Sequence, residues 1–316
     1  MKGGSAVPRI LVIGGANMDL AGRCERPPVV GDSNPGQVTL SMGGVGRNIA
    51  HNLALLGAEV SLLTALGDDE MGRMLWASCE AAGMDLSLCV TVKGGRTGTY
   101  LALLDDTGDM TMAVNDMAVL DALTPEALAP RLTEIRRYDA LVVDANVPER
   151  TLQWLGENVE RPIVADPVSC HKCGRLRGLL PHLAAIKPNR MEAEALSGVS
   201  ITDESSLRRS ADALLDAGVE NVFISLSTKG IFAKNRRGEE VRLPCPAVTV
   251  ANATGGGDAM AAAITLELLR GTALRDTARF AMGAGALACT AATTIHPGMS
   301  RENVLSILRD FGKEVF

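Results

Sequence analysis

Aromatic residues are scarce, at 3% of the 316 residues, which leaves few platforms on which the bases of a nucleic-acid strand could stack. Positive charge is not in excess either. Thirty-one Lys and Arg face 37 Asp and Glu, a net charge of −6 without a basic run, so a nucleic-acid polymer is excluded as partner. Long hydrophobic runs are missing. The uncharged stretch from Phe280 to Ile295 is built largely of Ala, Gly and Thr and is short of a membrane span. The first residues, with Gly3, Gly4 and Pro8 before a short apolar run, do not read as a signal segment. Seven cysteines at irregular spacing make no disulfide framework and fit a reducing, cytoplasmic setting. Thirty-three glycines without a period exclude collagen, and 47% hydrophobic with 22% charged residues excludes a disordered chain.

What is present alternates. Arg9–Ile13 is an apolar run closed by Gly14-Gly15 and reads as a buried strand, as does Val60–Leu63. The region Glu25–Thr39, rich in Pro and Gly, reads as loop or edge strand. From Gly44 a helical pattern places Ile49, Leu53 and Leu56 on one face, and Glu70–Ala82 is a second helix. Thr97–Leu104 and Asp109–Val114 flank a turn at Asp105-Asp-Thr-Gly108, a hairpin pattern. After residue 120, strands at Ala140–Val143, Ile163–Ala165, Ala184–Ile186 and Val222–Ser225 alternate with helices, clearest at Arg190–Leu196 and Ser205–Ala217. That rhythm implies a parallel sheet covered on both faces. The last quarter, Gly257–Arg270, Leu274–Thr293 and Arg301–Phe311, reads as helix. Segments about 22–42 and 93–115 break the rhythm, as a small β-lid over the carboxyl ends of the strands would.

Four motifs carry chemistry. In Asn252-Ala-Thr-Gly-Gly-Gly-Asp258, three glycines open a helix, so an anion can approach their N–H groups at the positive end of the helix dipole. Asp258, in the first turn, can take a proton from an attacking hydroxyl. The same run could be a flexible turn with a dipole-complementing Asp. Met42-Gly-Gly-Val-Gly-Arg-Asn48 also leads into a helix, and Asn48 offers donor and acceptor to a hydroxylated ligand. In Gly14-Gly-Ala-Asn-Met-Asp19, Asn17 and Asp19 share one side of an extended strand and suit a vicinal diol, or form an Asx turn. Lys187-Pro-Asn-Arg-Met-Glu192 has the spacing of a capping box. It also suits a hydrated Mg²⁺ at Asn189 and Glu192 with a phosphate near Lys187. Cys170-His-Lys-Cys173 has the spacing of half a zinc site, but no second pair completes it.

Gly43-Gly44-Val-Gly-Arg-Asn48, Asn189-x-x-Glu192 and Thr254-Gly-Gly-Gly-Asp258, in this order, resemble the PfkB, or ribokinase-like, family of sugar and nucleoside kinases. The resemblance covers essentially the whole chain. Within the family, Asn17-Met-Asp19, Asp32-Ser-Asn-Pro-Gly36, Asn115-Asp-Met117 and Asp166-Pro-Val-Ser169 are similar to the pseudouridine-phosphorylating branch. The fold this implies is a three-layer αβα sandwich with a mainly parallel sheet and a β-lid, one domain over 1–316. The resemblance makes Asp258 the base for the ribose 5′-hydroxyl, and the N–H groups from Thr254 to Gly257, those of Gly255, Gly256 and Gly257 included, the anion hole. Asn17, Asp19, Gly43, Gly44 and Asn48 would hold ribose hydroxyls, and Ser33, Asn115 and Asn146 would contact the base. Lys187, Asn189, Ser225, Ser227, Gly230 and Thr254 would line ATP, and Glu192 would hold Mg²⁺ through water. A homodimer through the lid is the expected assembly.

Two departures stand out. The family usually has Gly-Ala-Gly-Asp; Gly256 takes the middle position here, loosening the loop by about 0.5–1 kcal/mol. K⁺-activated relatives often carry Asp two residues before the motif Thr, and this chain has Asn252, which argues against K⁺ activation although carbonyl oxygens could still bind one. Alternatives on the same residues are a kinase for another nucleoside or a free sugar such as ribose or fructose, and a non-catalytic ligand-binding homologue. A dinucleotide oxidoreductase is disfavoured, because the first strand does not lead into Gly-x-Gly-x-x-Gly.

Overall fold

A computed structural model describes residues 7–309. The first half of the chain runs β1 (Arg9–Ile13), β2 (Asn17–Cys24), β3 (Gly36–Gly43), α1 (Val45–Leu55), β4 (Glu59–Leu63), β5 (Ala65–Gly67), α2 (Glu70–Ala81), β6 (Met84–Asp85), β7 (Val90–Val92), β8 (Thr99–Leu104) and β9 (Met110–Asp116). Short helical turns α3 (Pro125–Leu128) and α4 (Leu132–Ile135) lead into β10 (Ala140–Asp144), α5 (Glu149–Asn158), β11 (Ile163–Asp166), β12 (Leu183–Ile186), α6 (Arg190–Ser197) and α7 (Glu204–Asp216). The chain ends with β13 (Asn221–Ser225), β14 (Ile231–Asn235), β15 (Glu240–Leu243), α8 (Gly256–Leu269), α9 (Leu274–Cys289) and α10 (Arg301–Arg309).

Strands apolar on both faces must be covered on both faces, and they are. Ile10 and Val12 of β1 join one core with α1, α2, α8 and α9, while Leu11 and Ile13 join another with α5, α6 and α7. The sheet order is β15-β14-β13-β12-β11-β10-β1-β4-β6. From β13 to β6 the strands are parallel; β14 and β15 add an antiparallel hairpin at the edge. The sheet is mainly parallel as expected, but the sequence rhythm does not register this hairpin, whose strands are joined by a short polar turn and not by a helix. Strands β5 and β7 form a two-stranded sheet. The chain winds outward from β1 to β4 and returns to β10 on β1's other side. That reversal opens a crevice at the carboxyl ends of β1 and β10, where ligands of such sheets bind.

A separate sheet, ordered β3-β2-β8-β9, rises beside this crevice. It begins at Asn17 and ends at Asp116, wider than the segments that interrupt the sequence rhythm, because β2 grows directly out of β1 after a three-residue turn. Alternation along its strands gives it two faces. One carries the row Ser41, Asp19, Tyr100 and Asn115; the other carries Leu40, Leu20, Leu101 and Val114, then Val38, Gly22, Leu103 and Met112.

The helix expected over Leu274–Thr293 stops at Cys289, where the Thr290 hydroxyl donates to the Leu287 carbonyl and the Cys289 carbonyl accepts from Ala251 and Asn252. Phe311, the expected end of the last helix, lies outside the described residues. Among the described residues no helix is long and apolar enough to cross a membrane.

Candidate active site

The floor of the crevice is built by strands that are apolar until their last residue. β10 and β11 end side by side in Asp144 and Asp166. Both carboxylates are buried and each is engaged differently. Asp144 accepts from the Gly15 N–H at 2.9 Å, the Gly46 N–H at 2.7 Å and the Asn146 N–H at 2.9 Å. It thereby ties the turn after β1 to the turn before α1. A Cβ on Gly14 would lie 2.6 Å from its oxygen, so glycine is what lets the carboxylate in. Burial raises the Asp144 pKa, and hydrogen bonds from Gly15 and Asn146 oppose the rise. Asp166 pairs with the Lys187 ammonium at 3.2 Å. Burial would strip Lys187 of its proton, but Asp166, Glu192 and Asp258 outweigh it and hold the ammonium above its ordinary range.

α8 begins over this floor. Its N-cap, Gly255, has φ +88°, and a Cβ there would sit 2.1 Å from the Thr294 carbonyl oxygen, so only glycine fits. No side chain caps this end, and a Cβ on Gly257 would lie 3.2 Å from the Lys187 nitrogen. Glycine N–H groups, helix dipole and ammonium converge into an anion site. A Cβ on Gly256 would meet the Cys289 sulfur at 3.0 Å, which accounts for the departure from Ala at this position. Asp258 is half-buried beside the loop, and desolvation together with Asp166 pushes its pKa up to about 7, against Asn48 and Lys187. A carboxylate poised there is suited to general-base work near neutrality.

Helix α1 packs on α8, bringing Asn48 to Asp258; Nδ2 donates to Oδ2 at 2.8 Å. Asn17 donates to Asp19 at 2.6 Å. The Asp19 carboxylate lies on Gly43, where a Cβ would approach it to 2.2 Å. Burial raises the Asp19 pKa, opposed by Asn17 and Arg47. Gly44, with φ +97°, passes 2.4 Å from the Gly15 carbonyl as a Cβ would see it. Asn17, Asp19, Gly43 and Gly44 are thus gathered in front of α1, whose Asn48 reaches Asp258. Asn146 abuts Gly15, with its side-chain oxygen accepting from Lys172 at 2.7 Å. Asn115 stands in the same lid row as Asp19. Ser33 is not gathered. It is exposed in the loop between β2 and β3, seven register pairs beyond Asn17, roughly 23 Å along the strands.

Toward β12 and β13, Asn189 and Glu192 form the capping box that the spacing allows: Asn189 Oδ1 accepts from the Glu192 N–H at 3.0 Å, and Glu192 Oε2 from the Asn189 N–H at 2.8 Å. Burial and Asp166 raise the Glu192 pKa, against Lys187. Asn189, Ser225 and Ser227 line one cavity of about 610 Å³, with Lys229 and Ile201. Gly230 has a packing reason of its own, since a Cβ there would lie 1.9 Å from the Leu243 carbonyl. Thr254 is exposed, its N–H donating to Asn252 Oδ1 at 2.9 Å, while Asn252 donates to the Ala292 carbonyl at 3.1 Å. Cys173 bonds the Cys170 carbonyl through its sulfur. Among the described residues no three His, Cys, Asp or Glu side chains are grouped to hold a metal ion.

Sequence reading missed Asp144, Asp166 and Arg47 as site residues. A signal for the first two was present: each closes a wholly apolar strand with an acid, at the sheet edge where ligands bind. Arg47 had no such signal, because burial of a guanidinium in the first turn of α1 is decided by packing.

A model of the pfkB family of carbohydrate kinases matches residues 7–301. The chain is 36% identical over 302 residues to the pseudouridine kinase of Escherichia coli K12, covering 95% of this chain and 96% of that protein. It is 34% identical to the uncharacterized sugar kinase YeiI of the same organism, covering 94% and 83%. In structure it is similar to Arabidopsis thaliana ribokinase, with a TM-score of 0.85 at 22% identity over 96% of this chain and 99% of that one, which shows the fold to be ribokinase-like.

Proposed function

The chain belongs to the pfkB family of carbohydrate kinases, and from that premise we propose that it phosphorylates the ribose 5′-hydroxyl of pseudouridine with ATP. The observation carrying this reading is the half-buried Asp258 at the open N-terminus of α8, bonded to Asn48. Asp258 takes the 5′-hydroxyl proton; the oxygen attacks the γ-phosphorus, the bond to the bridging oxygen breaks and ADP leaves. The N–H groups of Gly255, Gly256 and Gly257, with Lys187, stabilise charge on the transferred phosphoryl group. Asn17, Asp19, Gly43, Gly44 and Asn48 hold the ribose, and Asn115 and Asn146 read the base. Ser33 is too far along the hairpin to reach the base of its own chain. Asn189, Ser225, Ser227, Gly230 and Thr254 form the nucleotide side.

Magnesium fits as a hydrated ion. Glu192 commits only Oε2 to the capping box, and with Asp166 it makes the surroundings of the phosphates negative. Glu192 and Asp166 would hold such an ion through its waters, and it would supply charge neutralisation to the phosphates. The outer lid face supports a homodimer: Val38, Leu40, Leu101, Leu103, Met112 and Val114 are 40–75% exposed in adjacent rows, an apolar patch that a second copy would cover.

The test is ADP release with Mg-ATP and pseudouridine, uridine, adenosine, ribose or fructose. Preference for pseudouridine, with phosphate at O5′, is expected. Preference for a free sugar, the reading that similarity to YeiI favours, or for another nucleoside would keep the catalytic residues and discard the acceptor. Absence of turnover with binding retained would favour a silent homologue.

A further inference from the structure

Arg47 lies in the first turn of α1, between the residues that hold the acceptor and the residue that deprotonates it. Its side chain is buried, yet among the described residues it forms no ion pair. Its Nε has no hydrogen-bond partner. Burial pulls its pKa below the ordinary range, with Cys79, Asp258 and Asp19 opposing at longer range. A guanidinium is rarely kept in such a place without a use for its donors. Both bonds it makes come from Nη2, one to the Met42 carbonyl at 2.8 Å and one to Asn48 Oδ1. Asn48 in turn donates from Nδ2 to Asp258 Oδ2 at 2.8 Å.

An asparagine amide can show a neighbour either its oxygen or its nitrogen, and a half-turn exchanges the two. Arg47 can only donate, so it takes the oxygen end and leaves the nitrogen end for Asp258. Nδ2 keeps a second hydrogen that can serve the acceptor oxygen. Met42 is the penultimate residue of β3, so the same Nη2 joins the base's partner to the root of the lid. We infer that Arg47 is a positioning residue acting through Asn48: it holds the amide with its nitrogen on Asp258 and anchors that arrangement to the lid strand β3. The role rests on reading Asp258 as the base. The other charged groups facing Asp258 are Asp144 from β10, Asp166 from β11 and Lys187 after β12, and none of them contacts Arg47.

The experiment compares Arg47→Met and Arg47→Lys, each alone and with Asn48→Ala. The readouts are turnover and the titration of the Asp258 carboxyl in the free protein, followed by ¹³C NMR and assigned by its loss in Asp258→Asn. Arg47→Met should lower kcat on the order of tenfold and move the Asp258 titration, with the acid limb of the rate profile, up by about one pH unit. The KM for ATP should change less than about twofold, and Arg47→Lys should restore most of the shift. In the Asn48→Ala background, Arg47→Met should shift the titration much less, only by what the direct attraction between Arg47 and Asp258 contributes. An unchanged titration, or an equal shift with and without Asn48, overturns the inference. Should Arg47→Met fail to fold, Asn48→Ala alone must reproduce the upward shift, and its absence overturns the inference equally. Absence of wild-type turnover would overturn the kinase reading while the NMR titration still judges Arg47.

Discussion

Two helices in this protein open on glycine turns, and they are put to opposite uses. α1 follows Gly44 with φ +97° and α8 follows Gly255 with φ +88°; neither has a side-chain cap. At α1 the free N–H groups are consumed internally, Gly46 by the Asp144 carboxylate and Arg47 by the Gly15 carbonyl. At α8 the Lys187 ammonium stands beside Gly257, and the N–H groups of Gly256 and Gly257 have no acceptor among the described residues. A glycine-opened helix therefore announces affinity for an anion without saying whose anion it is. At α1 the anion is part of the protein and the result is a rigid corner. At α8 the end stays open.

The comparison breaks most sharply at Asp258. Asp258→Asn should lose about 10²–10⁴-fold in kcat while ATP binding, read by calorimetry, persists. In the wild type, kcat/KM should fall about tenfold per unit below pH 7, because the base must be ionised and its pKa is about 7. Stability runs the other way. The folded protein holds this proton more tightly than the unfolded chain, so wild-type stability is lost as pH rises from about 4 through about 7. Urea titration should find Asp258→Asn the more stable protein at pH 8; a less stable variant would contradict a carboxylate whose desolvation outweighs its bond to Asn48.

Removing the internal anion tests the other helix. Asp144→Asn puts an NH₂ or a weaker acceptor against the Gly15 and Gly46 N–H groups and should destabilise by about 3 kcal/mol in urea. The KM for the acceptor should rise more than that for ATP, since both tied turns border Asn17, Asp19 and Asn48. Gly255→Ala should cost about 2 kcal/mol through strain at positive φ and the approach to Thr294, with kcat falling as the open end distorts. The smallest effect belongs to Gly256→Ala, expected within about 1 kcal/mol of wild type by thermal melt. Adding Cys289→Ala should turn that change into a gain, because it removes the sulfur that the new methyl meets at 3.0 Å.

Much of the architecture was legible beforehand. The apolar runs that became β1, β4 and β10 to β13 announce themselves because a strand covered on both faces must be apolar throughout, and β8 and β9 lie where the turn at Asp105–Gly108 puts them. Less legible was the β14–β15 hairpin, whose pattern differs little from a strand–loop–strand of the parallel kind. Among the candidate site residues, the motifs next to glycines stand out in the sequence because glycine marks backbone that something approaches closely. Asp144 and Asp166 each close an apolar strand, a signal the sequence carries, but only sheet register sets them side by side. Ser33 is offered as a base contact by the family resemblance, whereas the structure places it in the exposed loop at the far end of the β2–β3 hairpin.

By itself the sequence determined the strand–helix rhythm, the glycine turns and the acid in the first turn of α8, since these depend on local backbone preference and on patterns a few residues long. Tertiary structure alone decided which glycine turn would be filled from within and which left open. That choice depends on Asp144, Lys187 and Asn48 arriving from distant points of the chain. Close packing of α1 on α8 removes the water that would otherwise have screened one buried charge from another.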